Sequence, residues 1–162
     1  MITAERLKEV LTYHTDTGLF TRNREFGGWK AGGVAGCVKP DGYRWIRIDN
    51  IQYTASRLVW FCCHGVWPNH HIDHKNNDRD DNRIENLREC CPSENLANQR
   101  LSSRNKSGFK GVSWSKRDEK WYASIKVMGK SHNLGHYDDP KDAHAAYCKA
   151  AKKYFGEFAK IE

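Results

Sequence analysis

The feature that most limits how this 162-residue chain can fold is a polar block at positions 69–100. It is dense in His, Asp and Asn, which suit turns and loops better than helix or strand interiors. Its order is nevertheless specific. An apolar strand end carries Asp73-His74, and a long polar loop follows. Asn86-Leu87-Arg88 reads as a second strand, and Pro92-Ser93-Glu94 opens a helix that carries Asn95 and Asn98 one turn apart. Strand, loop, strand and helix would bring together a carboxylate, an imidazole and a carboxamide.

Phosphodiester hydrolysis requires that set. A hard cation takes oxygen ligands, and an Asp carboxylate with an Asn carbonyl suits Mg²⁺. Such an ion neutralises the scissile phosphate and the leaving oxygen. A neutral imidazole takes the proton from the attacking water. A side-chain amide at Asn86 would tie down the polar loop and hold His74 in place. Any one of these residues alone reads as a surface pair or a loop residue. The ordered set gives the block its meaning.

The block resembles the HNH nuclease family, whose fold is the ββα-metal unit. The likeness is to phage and intron-homing members, and it is carried by Ile72-Asp73-His74, Asp81-Asn82-Arg83-Ile84, Asn86-Leu87-Arg88-Glu89 and Ser93-Glu94-Asn95 with Asn98. It is close over residues 66–100. A weaker likeness reaches back through Leu7–Phe20, the Gly-rich Gly27–Gly36 and Tyr43–Val59. The resemblance implies that Asp73 and Asn95 are metal ligands, His74 the general base and Asn86 the loop clamp. His74 precedes Asn86 by 12 residues and Asn95 by 21, the spacing of the Asp-His subtype. A register based on His71 would lengthen the loop by three residues. His71 and Asn98 stay as further candidates.

Upstream, Thr3 is placed to cap a helix with Leu7, Val10 and Leu11 on one face. Residues 18–54 alternate in short runs broken by glycine and predict a small antiparallel β-meander. Arg57–His64 reads as a short, buried helix. The composition of 102–108 is that of a linker. Beyond it, strands are expected at 109–115, 120–127 and 131–136, followed by a helix capped by Asp139, begun by Pro140 and ended by Gly156. Ala143, Ala146, Tyr147, Ala150, Ala151 and Tyr154 would form its apolar stripe, with Lys149, Lys152 and Lys153 solvated.

This C-terminal segment resembles an APETALA2-type DNA-binding domain through Phe109-Lys-Gly-Val112, Lys120-Trp121-Tyr-Ala123-Ser-Ile125, Leu134-Gly135 and Gly156-Glu-Phe158-Ala. A three-stranded sheet packed on one helix leaves a face able to enter the major groove. By the family's geometry Lys110, Ser113, Trp114, Ser115, Lys120, Lys126, Ser131 and Asn133 would face DNA. Trp121 and Tyr147 read as core. Serines at 113, 115 and 131 stand where the plant domains favour arginine, which removes the bidentate guanine contacts of a GC-rich target.

The expected fold is therefore α+β. A nuclease domain at 1–101, with its ββα-metal core at about 66–101, is followed by a linker at 102–108 and a DNA-binding domain at 109–162. Charge agrees with that division. Of the net +7, residues 1–100 hold 14 basic and 13 acidic side chains, and residues 101–162 hold 13 and 7. A basic C-terminal module points to an anionic partner, which the resemblance implies is double-stranded DNA. No apolar run reaches the roughly 18 residues of a membrane span, and the N-terminus lacks a signal-peptide core, so an intracellular, phage-encoded protein acting in the host cell is expected. No obligate protein partner is evident. Six cysteines, including the vicinal pairs Cys62-Cys63 and Cys90-Cys91, do not reproduce zinc-ligand spacing. Free thiols and Mg²⁺ or Mn²⁺, rather than structural zinc, are expected. These readings converge on a site-selective, metal-dependent DNA endonuclease of the homing type. The alternative is a DNA-binding regulator built on an inert nuclease scaffold.

Overall fold

The structure is a computed structural model and describes residues 1–25, 27–102 and 105–161. It is α+β throughout, with small antiparallel sheets and short helices in two compact units, Met1–Glu89 and Cys90–Glu162.

In the first unit, helix α1 (Ala4–Val10) begins at Thr3, whose hydroxyl accepts the Arg6 N–H. The helix stops one residue short of the expected stripe. Leu11 is extended and opens strand β1 (Leu11–His14), which pairs with β2 (Leu19–Arg22). Leu11 is buried all the same, so its apolar character reports the core and not the helix. Strands β3 (Cys37–Val38), β4 (Arg44–Ile48) and β5 (Ile51–Thr54) form the expected antiparallel meander. Helix α2 (Ala55–His64) follows directly and ends on Gly65, in the left-handed region at φ 73°. Leu7, Phe20, Ile46, Leu58, Val59 and Leu87 lie in one buried cluster. Strand β6 (His71–His74) pairs with β7 (Leu87–Cys90), with a 3₁₀ turn at Ile84–Asn86 before β7.

Gly18 ties this frame to the polar loop. It turns the β1–β2 hairpin at φ +73°, and a Cβ there would sit 2.4 Å from the Arg83 nitrogen and 2.6 Å from the Asn82 carbonyl carbon. Only glycine allows the hairpin to rest on the loop backbone.

In the second unit, helix α3 (Pro92–Asn98) precedes an antiparallel sheet of β8 (Val112–Ser115), β9 (Lys120–Val127) and β10 (Lys130–Tyr137), in the order β10-β9-β8. Helix α4 (Pro140–Phe155) lies across the sheet, capped by Asp139, whose carboxylate accepts the Lys141 N–H at 2.7 Å. Its small residues Ala143, Ala150 and Ala151 are buried with Tyr147, so the helix backbone lies close to the strands. Phe155, not Tyr154, completes the stripe. Tyr154 is 43% exposed and stacks on His132 at 5.5 Å. Strand β8 begins at Val112, three residues later than expected, because Gly111 turns at φ +74° and a Cβ there would strike the Tyr147 ring at 2.0 Å.

Helix α3 is held by this second unit. Ala97 is buried in the cluster that contains Ile125, Tyr147 and Phe155. The Ala97 carbonyl accepts the Lys160 N–H at 3.2 Å, and Ser93 Oγ accepts the Met128 N–H at 2.9 Å. In the expected linker, Asn105 Oδ1 accepts the Gly108 N–H at 2.9 Å, forming a tight turn; Ser103 and Arg104 lie outside the described residues.

Candidate active site and nucleic-acid interface

Strand β6 delivers Asp73 and His74 at its end, both buried at 6% and 3% exposure. Two consecutive strand residues point to opposite faces, and each finds its own partner. Arg88 on β7 donates from Nε to Asp73 Oδ2 at 2.9 Å, inside a pair that is almost wholly removed from water. His74 Nε2 lies 3.3 Å from Asn82 Oδ1. The Asn82 amide nitrogen donates to the Asp80 carbonyl at 3.0 Å, which turns its oxygen toward the imidazole. Nε2 is then the protonated nitrogen, and the basic lone pair belongs to Nδ1. Burial pushes the His74 pKa down, opposed by the Asn82 hydrogen bond and the charges of Asp73, Asp78 and Asp81. The ring is thus held neutral near neutral pH, the form that accepts a proton.

The polar loop between the two strands is clamped by Asn86. Its Oδ1 accepts the Asn76 N–H at 3.1 Å, and its Nδ2 donates to the Asp81 carbonyl at 2.8 Å. Its own carbonyl accepts the Lys75 N–H at 2.9 Å. A single buried carboxamide therefore joins the start of the loop, its far side and the second strand. Further ties come from Arg44, which holds Asp80 through Nε and Nη2 at 2.9 and 2.8 Å, and from Arg79, which donates to the Asp41 carbonyl. Arg83 binds Asp81 and lowers its carboxyl to about 2. His71 is exposed at the start of β6.

Two residues of this constellation had no assigned role in the sequence reading. Asn82 and Arg88 stood inside the matched pattern, and nothing in their spacing said that one would meet the imidazole and the other the carboxylate. In the second unit, Asn95 is half-buried on α3 and Asn98 is 5% exposed. Glu94 caps that helix by accepting the Cys91 N–H at 2.8 Å. Among the described residues, no three His, Cys, Asp or Glu side chains gather into a metal-binding group. The donors that the sequence pattern designates, a carboxylate at Asp73 and a carboxamide at Asn95, are oxygen ligands, which fit a hard divalent cation.

The register of the C-terminal sheet sorts its eight candidate DNA contacts. Ser113 pairs with Tyr122, Ser115 with Lys120, Lys126 with Ser131, and Ser124 with Asn133. These alternate with the buried Val112, Ala123 and Ile125, so they share the open face, away from α4. Trp114 falls on the other side, edge-on to Trp121 at 5.1 Å. Lys110 precedes the sheet and turns inward. Its ammonium donates to the carbonyls of Ala97 at 2.5 Å, Gln99 at 2.7 Å and Lys160 at 3.3 Å, and burial, then Lys160, pushes its pKa down to about 8. The open face also carries further polar and aromatic residues. Asp118 accepts from Ser115 Oγ at 2.8 Å, pairs with Arg117 and lies 3.2 Å from His136, whose ring stands 5.1 Å from that of Tyr122.

A buried imidazole and a buried carboxylate at the end of one strand, beside a clamped loop, and a polar strand face opposite a packed helix are features that suit a nuclease or DNA-binding protein. The chain matches the HNH endonuclease family over residues 53–97 and the AP2 domain over residues 107–157. It is 33% identical over 113 residues to Protein 3.8 of Escherichia phage T7, across 67% of this chain and 93% of that protein. The chain belongs to the HNH endonuclease family and carries a C-terminal AP2 domain. DNA is the partner that both domains imply, and HNH nucleases generally use a divalent metal. No helix among the described residues is long and apolar enough to cross a membrane.

Proposed function

We propose that this protein is a metal-dependent, site-selective DNA endonuclease of the phage homing type, acting in the host cell. The observation that carries the reading is His74. It is buried, held neutral, oriented through Nε2 by Asn82, and placed at the end of a strand whose following loop is fixed by Asn86. Such an imidazole takes a proton at Nδ1 from a water attacking the scissile phosphorus. A surface histidine would have no need of this framework.

Asp73 and, by the family pattern, Asn95 would hold one Mg²⁺ or Mn²⁺. That ion supplies charge neutralisation at the phosphate and the leaving 3′ oxygen. Arg88 holds the Asp73 carboxylate through its Oδ2. The family resemblance implies 5′-phosphate and 3′-hydroxyl products. The AP2 sheet tethers the duplex through Ser113, Ser115, Lys120, Lys126, Ser131 and Asn133, with Lys126 as its clearest phosphate contact. The division 1–101, 102–108 and 109–162 describes the sequence modules of this reading.

The test is incubation with supercoiled plasmid carrying the DNA that flanks its own gene, with and without Mg²⁺. Nicked or linear product is expected only with the metal. His74→Ala should abolish it while leaving DNA affinity intact. Full cleavage by that variant refutes the assignment of the base. Metal-independent retention of DNA without cleavage by the wild type favours the inert-scaffold regulator.

A further inference from the structure

The first unit holds a cationic cavity that the hydrolytic reading leaves unused. It has a volume of about 200 Å³ and lies beside α1, β2 and β4. Four arginines, Arg6, Arg22, Arg24 and Arg47, rim an apolar floor that includes Leu11 and Ile48. Two of the four are already committed. Arg6 grips Asp49 through Nε and Nη2 at 2.9 and 2.6 Å and reaches Glu9 from Nη1 at 2.7 Å, while Arg24 pairs with the other Glu9 oxygen. Among the described residues, Arg22 and Arg47 have no carboxylate partner. The rim therefore keeps two positive charges that Asp49 and Glu9 do not offset.

Arg22 adds a second, independent sign. Its Nε is buried and has no hydrogen-bond partner among the described residues, although its guanidinium lies over the Trp29 ring at 5.2 Å. Native chains rarely bury a donor that nothing accepts from, and such a group marks a place where an acceptor is expected. Four guanidiniums on one rim favour an anion that reaches more than one of them. A phosphate group suits this, because its oxygens diverge and match the planar fork of arginine.

We propose that this cavity seats one internal phosphate of a nucleic-acid backbone, gripped by Arg22 and Arg47 beside the preset Arg6 and Arg24. The source of the phosphate rests on the DNA-interacting reading of the chain, and the site itself does not depend on cleavage.

The experiment uses full-length protein in EDTA, so that no cleavage is read. Binding of a fluorescein-labelled duplex is followed at several salt concentrations for the wild type, Arg22→Gln and Arg47→Gln. Each substitution should reduce the slope of log K against log salt, and the two together by about 0.9, the contribution of the one phosphate they share. Arg47 is exposed, so that variant keeps the wild-type melting temperature and serves even where Arg22→Gln does not fold. Inorganic phosphate should raise the melting temperature of the wild type more than that of Arg47→Gln. The same duplex with and without 5′-phosphates should bind equally. Unchanged slopes in the folded variants overturn the proposal. A preference for 5′-phosphorylated ends that Arg47→Gln removes also overturns it, in favour of a terminal phosphate. Nicking by the wild type and its loss in His74→Ala bear only on the nuclease reading, so the two can fail separately.

Discussion

Replacing Lys110 with methionine should loosen α3 in the second unit without touching a DNA contact. The wild-type ammonium donates to three backbone carbonyls, two in α3 and its C-cap and one in the C-terminal segment. A hydrogen bond from a charged donor contributes roughly 1.5–3 kcal/mol. The full sum is not lost. Ala97 keeps the Lys160 N–H as a donor, Gln99 is exposed enough to be hydrated, and methionine carries no buried charge. A net cost of about 2 kcal/mol follows, near the worth of one such bond. For a unit of this size, that lowers the melting temperature by about 8–16 °C.

The same residue supplies a pH signature. Burial holds its pKa near 8 in the folded chain, against an ordinary 10.5. Between those values the unfolded chain holds a proton that the folded chain has released, so the contribution of Lys110 to stability rises with pH across that window. The variant lacks that rise, and the gap between the two proteins widens from pH 8 to pH 10. Thermal melts at both values, with duplex binding at several salt concentrations, decide the matter. Lys126→Met serves as the opposite control: it should leave the melt unchanged and reduce the salt slope by about 0.9. If Lys110→Met reduces the salt slope by that amount and melts like the wild type, Lys110 is a DNA contact and the staple is refuted.

Three other substitutions probe the hydrolytic unit. Asn82→Ala removes the acceptor for His74 Nε2 and should slow plasmid nicking about tenfold, worth about 1.4 kcal/mol, with DNA affinity unchanged; nicking at the wild-type rate would show that the imidazole needs no orienting partner. Arg88→Met leaves the Asp73 carboxylate buried opposite an apolar chain and should cost the first unit about 3–5 kcal/mol in urea denaturation, an unmoved midpoint being the contrary result. Asp81, lowered to about 2 by Arg83, contributes stability at neutral pH that is lost as pH falls from the ordinary carboxylate range toward 2. Asp81→Asn should flatten that acid limb, and an acid titration followed by circular dichroism with the same limb in both proteins would contradict the pairing.

What the sequence made legible follows from how local each signal is. Thr3, Asp139, Pro140 and Gly156 act on the residues beside them, and the helix ends they mark lie within a residue of where they point. The meander and the three C-terminal strands were legible for the same reason, since alternation is a local pattern. Asn86 stood out only through its place in the ordered pattern, and the structure gives it hydrogen bonds to the Asn76 N–H and the Asp81 carbonyl across the loop. Arg88 and Asn82 were not legible, because their partners lie 15 and 8 residues away and only the pairing of β6 with β7 and the path of the loop choose them. Lys110 shows the opposite failure. A lysine before a strand of a DNA-binding sheet reads as a phosphate contact by its charge, and only three converging carbonyls turn it inward. The arginine cavity was hidden by averaging. Near-neutral charge over the first hundred residues conceals four guanidiniums drawn to one place by α1, β2 and β4.

The boundary of the modules has a consequence for truncation. Cutting the chain after Leu101 reads from the sequence as the removal of a DNA tether. In the structure the cut also removes Ile125, Tyr147 and Phe155, among which Ala97 is buried, together with the Met128 N–H on Ser93 and the Lys110 ammonium. Helix α3 is only seven residues long, too short to persist in water without a packed face. The fragment 1–101 should therefore lose the structure that presents Asn95, not merely bind DNA less tightly. Amide exchange of residues 95–98, whose N–H groups can bond back along the helix, measures this directly. Protection is expected in the full chain and in a fragment 90–162, and a large loss of it in 1–101. Wild-type protection of those amides in 1–101 would show that α3 needs nothing from the C-terminal sheet, and the loss of cleavage on truncation would then report tethering alone.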